Sequence, residues 1–288
     1  PGERRGQSPN ATRTQAIKRK VVMTRSPLYC FCFAVAVFLS APGYAQKSET
    51  NPYTSLSVGP RIYHHEYGEP GIMENRGWFA GVGYSLTYEN RFFASLDGII
   101  SYGNVDYIST RSGNIDDKDG ICSDTRLLLG YAVFDSGTFK IIPYAGIAYR
   151  YLMDDMEGMA TTKGYSGYLR ESNYVYSPVG VRLSYQFKNG WFLRPSAEYD
   201  YFWFGKQESY LGSIAGYEDI DNDQNDDFGF RAMISLEKEM QTFRLGFDIF
   251  YRYWDIDRSD ITTDSQGRRW AEPANDTREI GIGLTFRF

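Results

Sequence analysis

Residues 242–256 read Thr-Phe-Arg-Leu-Gly-Phe-Asp-Ile-Phe-Tyr-Arg-Tyr-Trp-Asp-Ile, and their period is two. Phe243, Leu245, Phe247, Ile249, Tyr251 and Tyr253 fall on one side of an extended chain; Arg244, Gly246, Asp248, Phe250 and Arg252 fall on the other. Successive side chains of a strand point to opposite faces, so this stretch is a strand with one apolar and one charged face. The same alternation fills 278–288, where Ile280, Ile282, Leu284, Phe286 and Phe288 oppose Glu279, Gly281, Gly283, Thr285 and Arg287. It recurs in 191–203 and 228–237.

Working outward gives ten strands near 53–65, 77–88, 91–106, 122–134, 138–152, 173–187, 190–206, 227–238, 242–257 and 277–288. Four connections are short: Glu89-Asn90, Asp135-Ser136-Gly137, Lys188-Asn189-Gly190 and Glu239-Met240-Gln241. Asn-Gly and Ser-Gly suit hairpins because Asn and Gly tolerate positive φ. The other five, 66–76, 107–121, 153–172, 207–226 and 258–276, read as long polar loops. Long strands, an even count and alternating short and long connections predict an all-β fold, a ten-stranded antiparallel transmembrane β-barrel with up-and-down meander order. Aromatics gather at the ends of the apolar face (Trp78, Tyr88, Tyr185, Trp191, Trp203), where membrane barrels carry interfacial girdles.

Composition agrees. An aromatic share of 17% with 29 Gly excludes a disordered chain. The absence of any uninterrupted apolar run of 18 residues excludes a polytopic helical membrane protein. Residues 1–45 carry seven Lys/Arg and one Asp/Glu, leaving 24 basic and 35 acidic residues in 46–288. An acidic body argues against nucleic acid as a partner. Arg19, Lys20 and Arg25 precede the apolar run Leu28–Leu39, followed by Gly43-Tyr44-Ala45. This is a signal-peptide pattern over 23–45 with cleavage before Gln46; 1–22 is read as an upstream extension and 46–288 as the barrel domain. Cys30 and Cys32 lie in the leader, so Cys122 alone remains and no intramolecular disulfide forms in the body.

The leader, the ten alternating strands and the ending Gly283-Leu284-Thr285-Phe286-Arg287-Phe288 together resemble bacterial outer-membrane β-barrel proteins. The resemblance implies an outer-membrane location, contact with its lipids including lipopolysaccharide, and recognition of the terminal Phe288 strand by the barrel assembly machinery. Residues 67–74 (Tyr-Gly-Glu-Pro-Gly-Ile-Met-Glu) are similar to an uncharacterised barrel family, which implies no activity. The strand count resembles the omptin proteases, whose activity depends on acidic residues and a loop-side histidine. Here the only histidines are His64 and His65, at the end of the first strand, and 207–226 holds none. The general base is missing where that family places it, so no catalytic residue is carried over and an enzyme is not expected. A lipid hydrolase would need Ser57 or Ser85 to meet a histidine, on strand position alone.

The charged face is expected to line the lumen as a network of Arg61, Asp97, Arg126, Arg150, Arg182, Arg194, Glu198, Asp200, Arg231, Asp248, Arg252 and Glu279, with Asp124, Lys140, Glu237, Arg244 and Arg287 beside them. Arg231 is expected against Glu198 or Asp248. Such charges fill and brace a lumen or line a channel; ten strands enclose little more than the eight-strand width that side chains fill. The acidic run 218–227 sets Asp219, Asp221 and Asp223 at alternate positions, an oxygen pattern that suits Ca²⁺ within loop 207–226. Gln224 stands where an EF-hand has Gly, and Phe230 where it has its bidentate Glu. Asn114–Asp119 is a second acidic stretch. No other cofactor is expected. The leading expectation is a structural or surface-interaction barrel acting through long acidic extracellular loops. The alternatives are a narrow pore for small solutes and a membrane-embedded hydrolase.

Overall fold

A computed structural model describes residues 53–225 and 227–288, and the leader at 1–45 lies outside the described residues. Ten long strands form the wall: β1 Tyr53–Glu69, β2 Met73–Glu89, β3 Phe92–Ile108, β4 Ile115–Tyr131, β5 Phe139–Asp155, β6 Leu169–Gln186, β7 Trp191–Ser209, β8 Phe228–Glu239, β9 Arg244–Ile256 and β10 Asn275–Arg287. Each pairs antiparallel with its neighbours in sequence. β1 also pairs with β10, from Ser57 opposite Arg287 to Gly68 opposite Asp276, and this closes the sheet. Phe288 extends the seam by exchanging backbone hydrogen bonds with Leu56 at 2.8 and 3.1 Å.

Closure decides which face is in. Ile280 is 60% exposed and its neighbour Glu279 is 1% exposed. Along the outside run Val58, Ile62, Val82, Leu127, Leu129, Ile147, Val179, Ile234, Phe247 and Ile249, all exposed. The charged face is buried in the lumen. Only a hydrocarbon solvent makes an apolar outer band favourable. Trp78, Tyr102, Tyr201 and Trp203 mark its upper rim; Tyr88, Phe92, Tyr185 and Trp191 mark its lower rim.

The short turns lie near their expected positions. Asn189 and Gly190 have φ of 67° and 70°, which Asn and Gly adopt most readily. The loops need correction. The first is no long loop but a turn at 70–72, because β1 and β2 stay paired through Glu69 and Met73. The acidic stretch from Asn114 lies largely inside β4, which begins at Ile115. β1 to β5 hold 17 residues each, whereas a tilted strand crosses a bilayer in about 9–11. The wall therefore continues past the membrane. β7 runs on from Tyr201, the partner of Phe228, to Ser209, and there pairs with the short strand Ile220–Gln224.

Three apolar clusters pack inside the barrel; Phe93, Leu128, Ala132, Ile142 and Tyr144 form the one nearer the periplasmic end, and two lie above it. Tyr63, Phe79, Ile99, Val105, Cys122 and Phe250 form one; Ala148, Tyr174, Tyr176, Phe202, Trp254 and Ile256 form the other, and Leu152 packs against both. Glycines face the rings. A Cβ at Gly281 would lie 2.4 Å from Tyr63 Cβ and 2.6 Å from Phe250 Cζ. Overpacking a filled site costs about 1–3 kcal/mol. Gly281→Val is therefore expected to destabilise the detergent-folded barrel by that much in urea unfolding, whereas Gly68→Ala, whose Cβ would meet only Asp276 Oδ1 at 3.7 Å, should change it by about 0.5 kcal/mol or less.

Candidate functional site

The lumenal charges come from every part of the wall, and strand register brings most of them together. Asp97 is opposite Arg126 on β3 and β4, and the two pair. Glu198 is opposite Arg231, at 3.1 Å. Glu279 is opposite both Arg252 and His65, which approach to 2.8 and 3.0 Å. Other pairs span the lumen. Arg126 reaches from β4 to Glu198 on β7 at 2.6 Å; Arg231 reaches from β8 to Asp124 on β4 at 2.9 Å; Arg150 reaches from β5 to Glu279 on β10 at 3.3 Å. Tyr176 donates to Asp124, and Asp200 stands 3.6 Å from Arg231.

The expected partnership of Arg231 with Glu198 is present, but Asp248 instead meets Arg61 at 2.8 Å and accepts from Thr285 at 2.6 Å. Near the periplasmic end Glu237 holds Arg287 and Arg194 at 2.7 and 3.4 Å, and Glu89 holds Lys140 at 3.3 Å. Glu89 is missing from the set expected from sequence, where Glu89-Asn90 has the look of a turn. Arg182 lies over the Phe93 ring at 4.5 Å, Arg244 over Phe192 at 3.8 Å, and Arg150 over Trp254 at 5.1 Å. A guanidinium can satisfy carboxylates along its edge while an aromatic covers its face. Between the periplasmic ion pairs and the apolar clusters remains a cavity of about 150 Å³, lined by Arg61, Arg126, Arg182, Glu198, Arg231 and Asp248 among others.

His65 is buried with its ring on Glu279 and against Phe79. His64 points out of the barrel, edge-on to Trp78, with Glu66 at 3.5 Å. Neither contacts Ser57 or Ser85 through a hydrogen bond among the described residues, so the nucleophile and base of a hydrolase are not assembled there.

At the extracellular end two of the three alternate Asp carboxylates of the acidic run have protein partners. Asp219 accepts from the Gly212 amide at 2.8 Å, Asp221 pairs with Lys206 at 2.8 Å, and Asp223 is exposed while its carbonyl accepts from the Asp260 amide. Among the described residues no three His, Cys, Asp or Glu side chains are grouped to hold a metal. The connections 210–227 and 257–274 are tied together instead. Ser265 donates to Glu218 at 2.6 Å, Arg268 donates to the Gly216 carbonyl at 3.0 Å, and Asn222 donates to the Asp260 carbonyl at 3.3 Å. Burial would raise the Asp264 carboxyl, but hydrogen bonds from Trp270, Arg268 and the backbone hold it down at about 2. Below them, Arg170 meets Glu69 at 3.1 Å and also pairs with Glu272. Both ends of that second pair are hidden in stretches whose sequence has the character of loop.

Removing one member of a buried ion pair costs about 3–5 kcal/mol, while an exposed pair contributes about 1 kcal/mol or less. Glu279→Gln, which strands Arg150 and Arg252, is expected to cost the larger amount. Arg278→Ala, breaking the exposed pair with Asp276 at 3.2 Å, should cost the smaller; urea unfolding of both variants checks it. The Asp264 carboxyl lies below its ordinary value of about 3.9. Its contribution is therefore full above that pH and lost as pH falls through about 2. The Trp270 fluorescence component, taken as the difference from Trp270→Phe, should hold down to that range, and Asp264→Asn should abolish the pH step.

The architecture has counterparts. The outer membrane protease OmpT of Escherichia coli is similar with a TM-score of 0.52 at 8% identity, covering 85% of this chain and 99% of its own. OprG of Pseudomonas aeruginosa (TM-score 0.37, 12% identity, 84% and 99% covered) and the beta domain of the Bordetella autotransporter BrkA (0.36, 9%, 80% and 98%) are more distant. No curated protein matches the sequence. Residues 71–247 match the autotransporter beta-domain. With the closed ten-stranded wall, that match places the protein in the bacterial outer membrane, and the chain belongs to the autotransporter beta-domain family.

Proposed function

We propose that the protein is a sealed outer-membrane scaffold with a structural or surface-interaction role, exercised through its extracellular cap rather than through its lumen. One observation carries this reading: the apolar clusters joined through Leu152 lie across the barrel, with three salt bridges spanning the same interior. A solute would have to displace packed rings and separate buried ion pairs, each costly. The cap is suited to contact. Its loops are cross-linked, so a partner would meet a preformed surface at small entropic cost. On the same reading the girdle aromatics meet lipid and lipopolysaccharide, and the strand ending at Phe288 engages the assembly machinery. Calcium bound near Asp219, Asp221 and Asp223 would serve surface contact; it requires Lys206 to release Asp221.

The test is single-channel recording of the refolded chain in a planar bilayer, with heat-modifiable migration proving that the barrel is closed. No discrete conductance steps are expected from the native sequence. Combined Phe79→Ala and Trp254→Ala should produce steps by emptying both clusters. Regular salt-dependent steps from the unmodified chain would replace this reading with the narrow pore.

A further inference from the structure

The extracellular mouth of the barrel holds a cavity of about 360 Å³. It lies between two pairs of tied connections. On one side Asn114 and Thr162 exchange hydrogen bonds, with the Thr162 amide to the Asn114 carbonyl and the Asn114 amide to Thr162 Oγ1 both at 3.0 Å. Thr161 also donates to the Ser112 carbonyl at 2.5 Å. On the other side stand the linked 210–227 and 257–274 segments. There the Ser259 amide donates to the Glu272 carbonyl at 3.1 Å, and Ser259 Oγ accepts from the Glu272 amide at 2.8 Å. The walls are thus fixed before any ligand arrives.

Tyr107, Tyr165, Tyr168, Trp270, Met73 and Met156 line the walls. Arg170, Glu69 and Glu272 form the charged part of the lining, all three less than a tenth exposed. Small-molecule sites have about 300–1,000 Å³, mainly apolar and aromatic walls and a few fixed polar groups. This cavity has each of these.

We propose that the mouth cavity binds a small organic cation: a primary ammonium group carried on a flat or aliphatic body. Charge decides the sign of the ligand. Among the described residues Arg170 is the one basic member of the lining and faces two carboxylates, leaving one negative charge in excess. Below the lining Lys118 pairs with Asp154, and burial together with Arg170 disfavours the charged form of that lysine, so it adds little positive charge to offset the excess. An ammonium at the charged end would complete the pairing of Glu69 and Glu272, and the tyrosine, tryptophan and methionine side chains of the lining give its apolar body a surface to pack on. An anionic ligand would meet the same excess as repulsion. Burial already pushes the Glu272 carboxyl up, Arg170 pulls it back, and Glu69 pushes it further. A bound cation favours the ionised carboxylate, which keeps both glutamates charged beside Arg170. The proposal stands whether or not the lumen conducts.

The experiment is isothermal titration calorimetry of the refolded full chain in a non-ionic detergent. The probes are 2-phenylethylammonium chloride, the neutral 2-phenylethanol and the anionic phenylacetate. The ammonium is expected to bind saturably and about tenfold or more tighter than the alcohol, a difference of ~1.4 kcal/mol, with phenylacetate weakest. Glu272→Gln should cost the ammonium about tenfold in affinity and leave the affinity for the alcohol unchanged. Trp270→Leu, outside the ionic part, should weaken the ammonium and the alcohol alike. Equal affinity for the ammonium and the alcohol in the unmodified chain would overturn the proposal. So would the absence of saturable ammonium heat from a chain whose heat-modifiable band shows it folded.

Discussion

In hydrocarbon no water replaces a lost backbone hydrogen bond, so the amides and carbonyls of β1 must find partners on β10. The whole barrel depends on that seam. It opposes His65 to Glu279 and Ser57 to Arg287, and because the pleat has a period of two it sends both ends of each pair inward. A slip of one residue would place Glu279 in lipid and Ile280 in the lumen. Neither could stay there, since hydrocarbon refuses the carboxylate and the ion pairs inside would lose their anion. Closure, register and the sorting of charge are therefore one constraint seen at three scales.

Once the charges are inside, they must be matched. The carboxylate of Glu279 illustrates the solution: it meets Arg252 from the adjacent strand, Arg150 from across the barrel and His65 from the closing strand. Arginine suits this work better than lysine because its planar fork reaches two acceptors and still offers a face for stacking. Arg252 lies over Tyr63 at 4.8 Å while it holds Glu279. The rings in turn occupy space that glycines leave free, as Phe79 does beside Gly103 and Gly120. Polar and apolar layers thus hold each other in place, and the interior behaves as a packed core turned toward the barrel axis.

The fold is legible in the sequence because alternation is a short-range signal. In 242–256 and 278–288 the sequence alone tells strand from helix, and turns such as Asn189-Gly190 announce themselves by the backbone they permit. The strand ends are less legible for a physical reason. Above the membrane no lipid imposes an apolar outer face, so 107–121 and 153–172 lose their alternation although the ends of each remain paired in the wall. The lumenal residues are identifiable as a set, but partners across the barrel, such as Arg126 with Glu198, depend on curvature that no local pattern encodes. The inward aromatics are hidden for the opposite reason. Phe79, Tyr174 and Phe202 look like membrane-facing residues until parity is counted along the whole strand.

The strands continue well past the length needed to span the bilayer, and this extra height bears on where function can reside. A lumen braced by buried ion pairs and crossed by rings gains stability from being immobile, so it is a poor place for events that require exchange with solvent. The raised rim faces neither requirement. Its residues need no match to lipid, its loops are held by their own hydrogen bonds, and Arg170 with its two carboxylates shows that charge can still be buried there in an unequal ratio. Inside the membrane span the inequality runs the other way, with Glu279 shared by Arg150 and Arg252 and Glu237 by Arg194 and Arg287; the carboxylate excess belongs to the mouth. At the mouth, where solvent supplies counter-ions and the walls stand apart, it persists as a chemical preference. Rigidity below and unequal charge above are consistent consequences of one barrel that begins in lipid and ends in water.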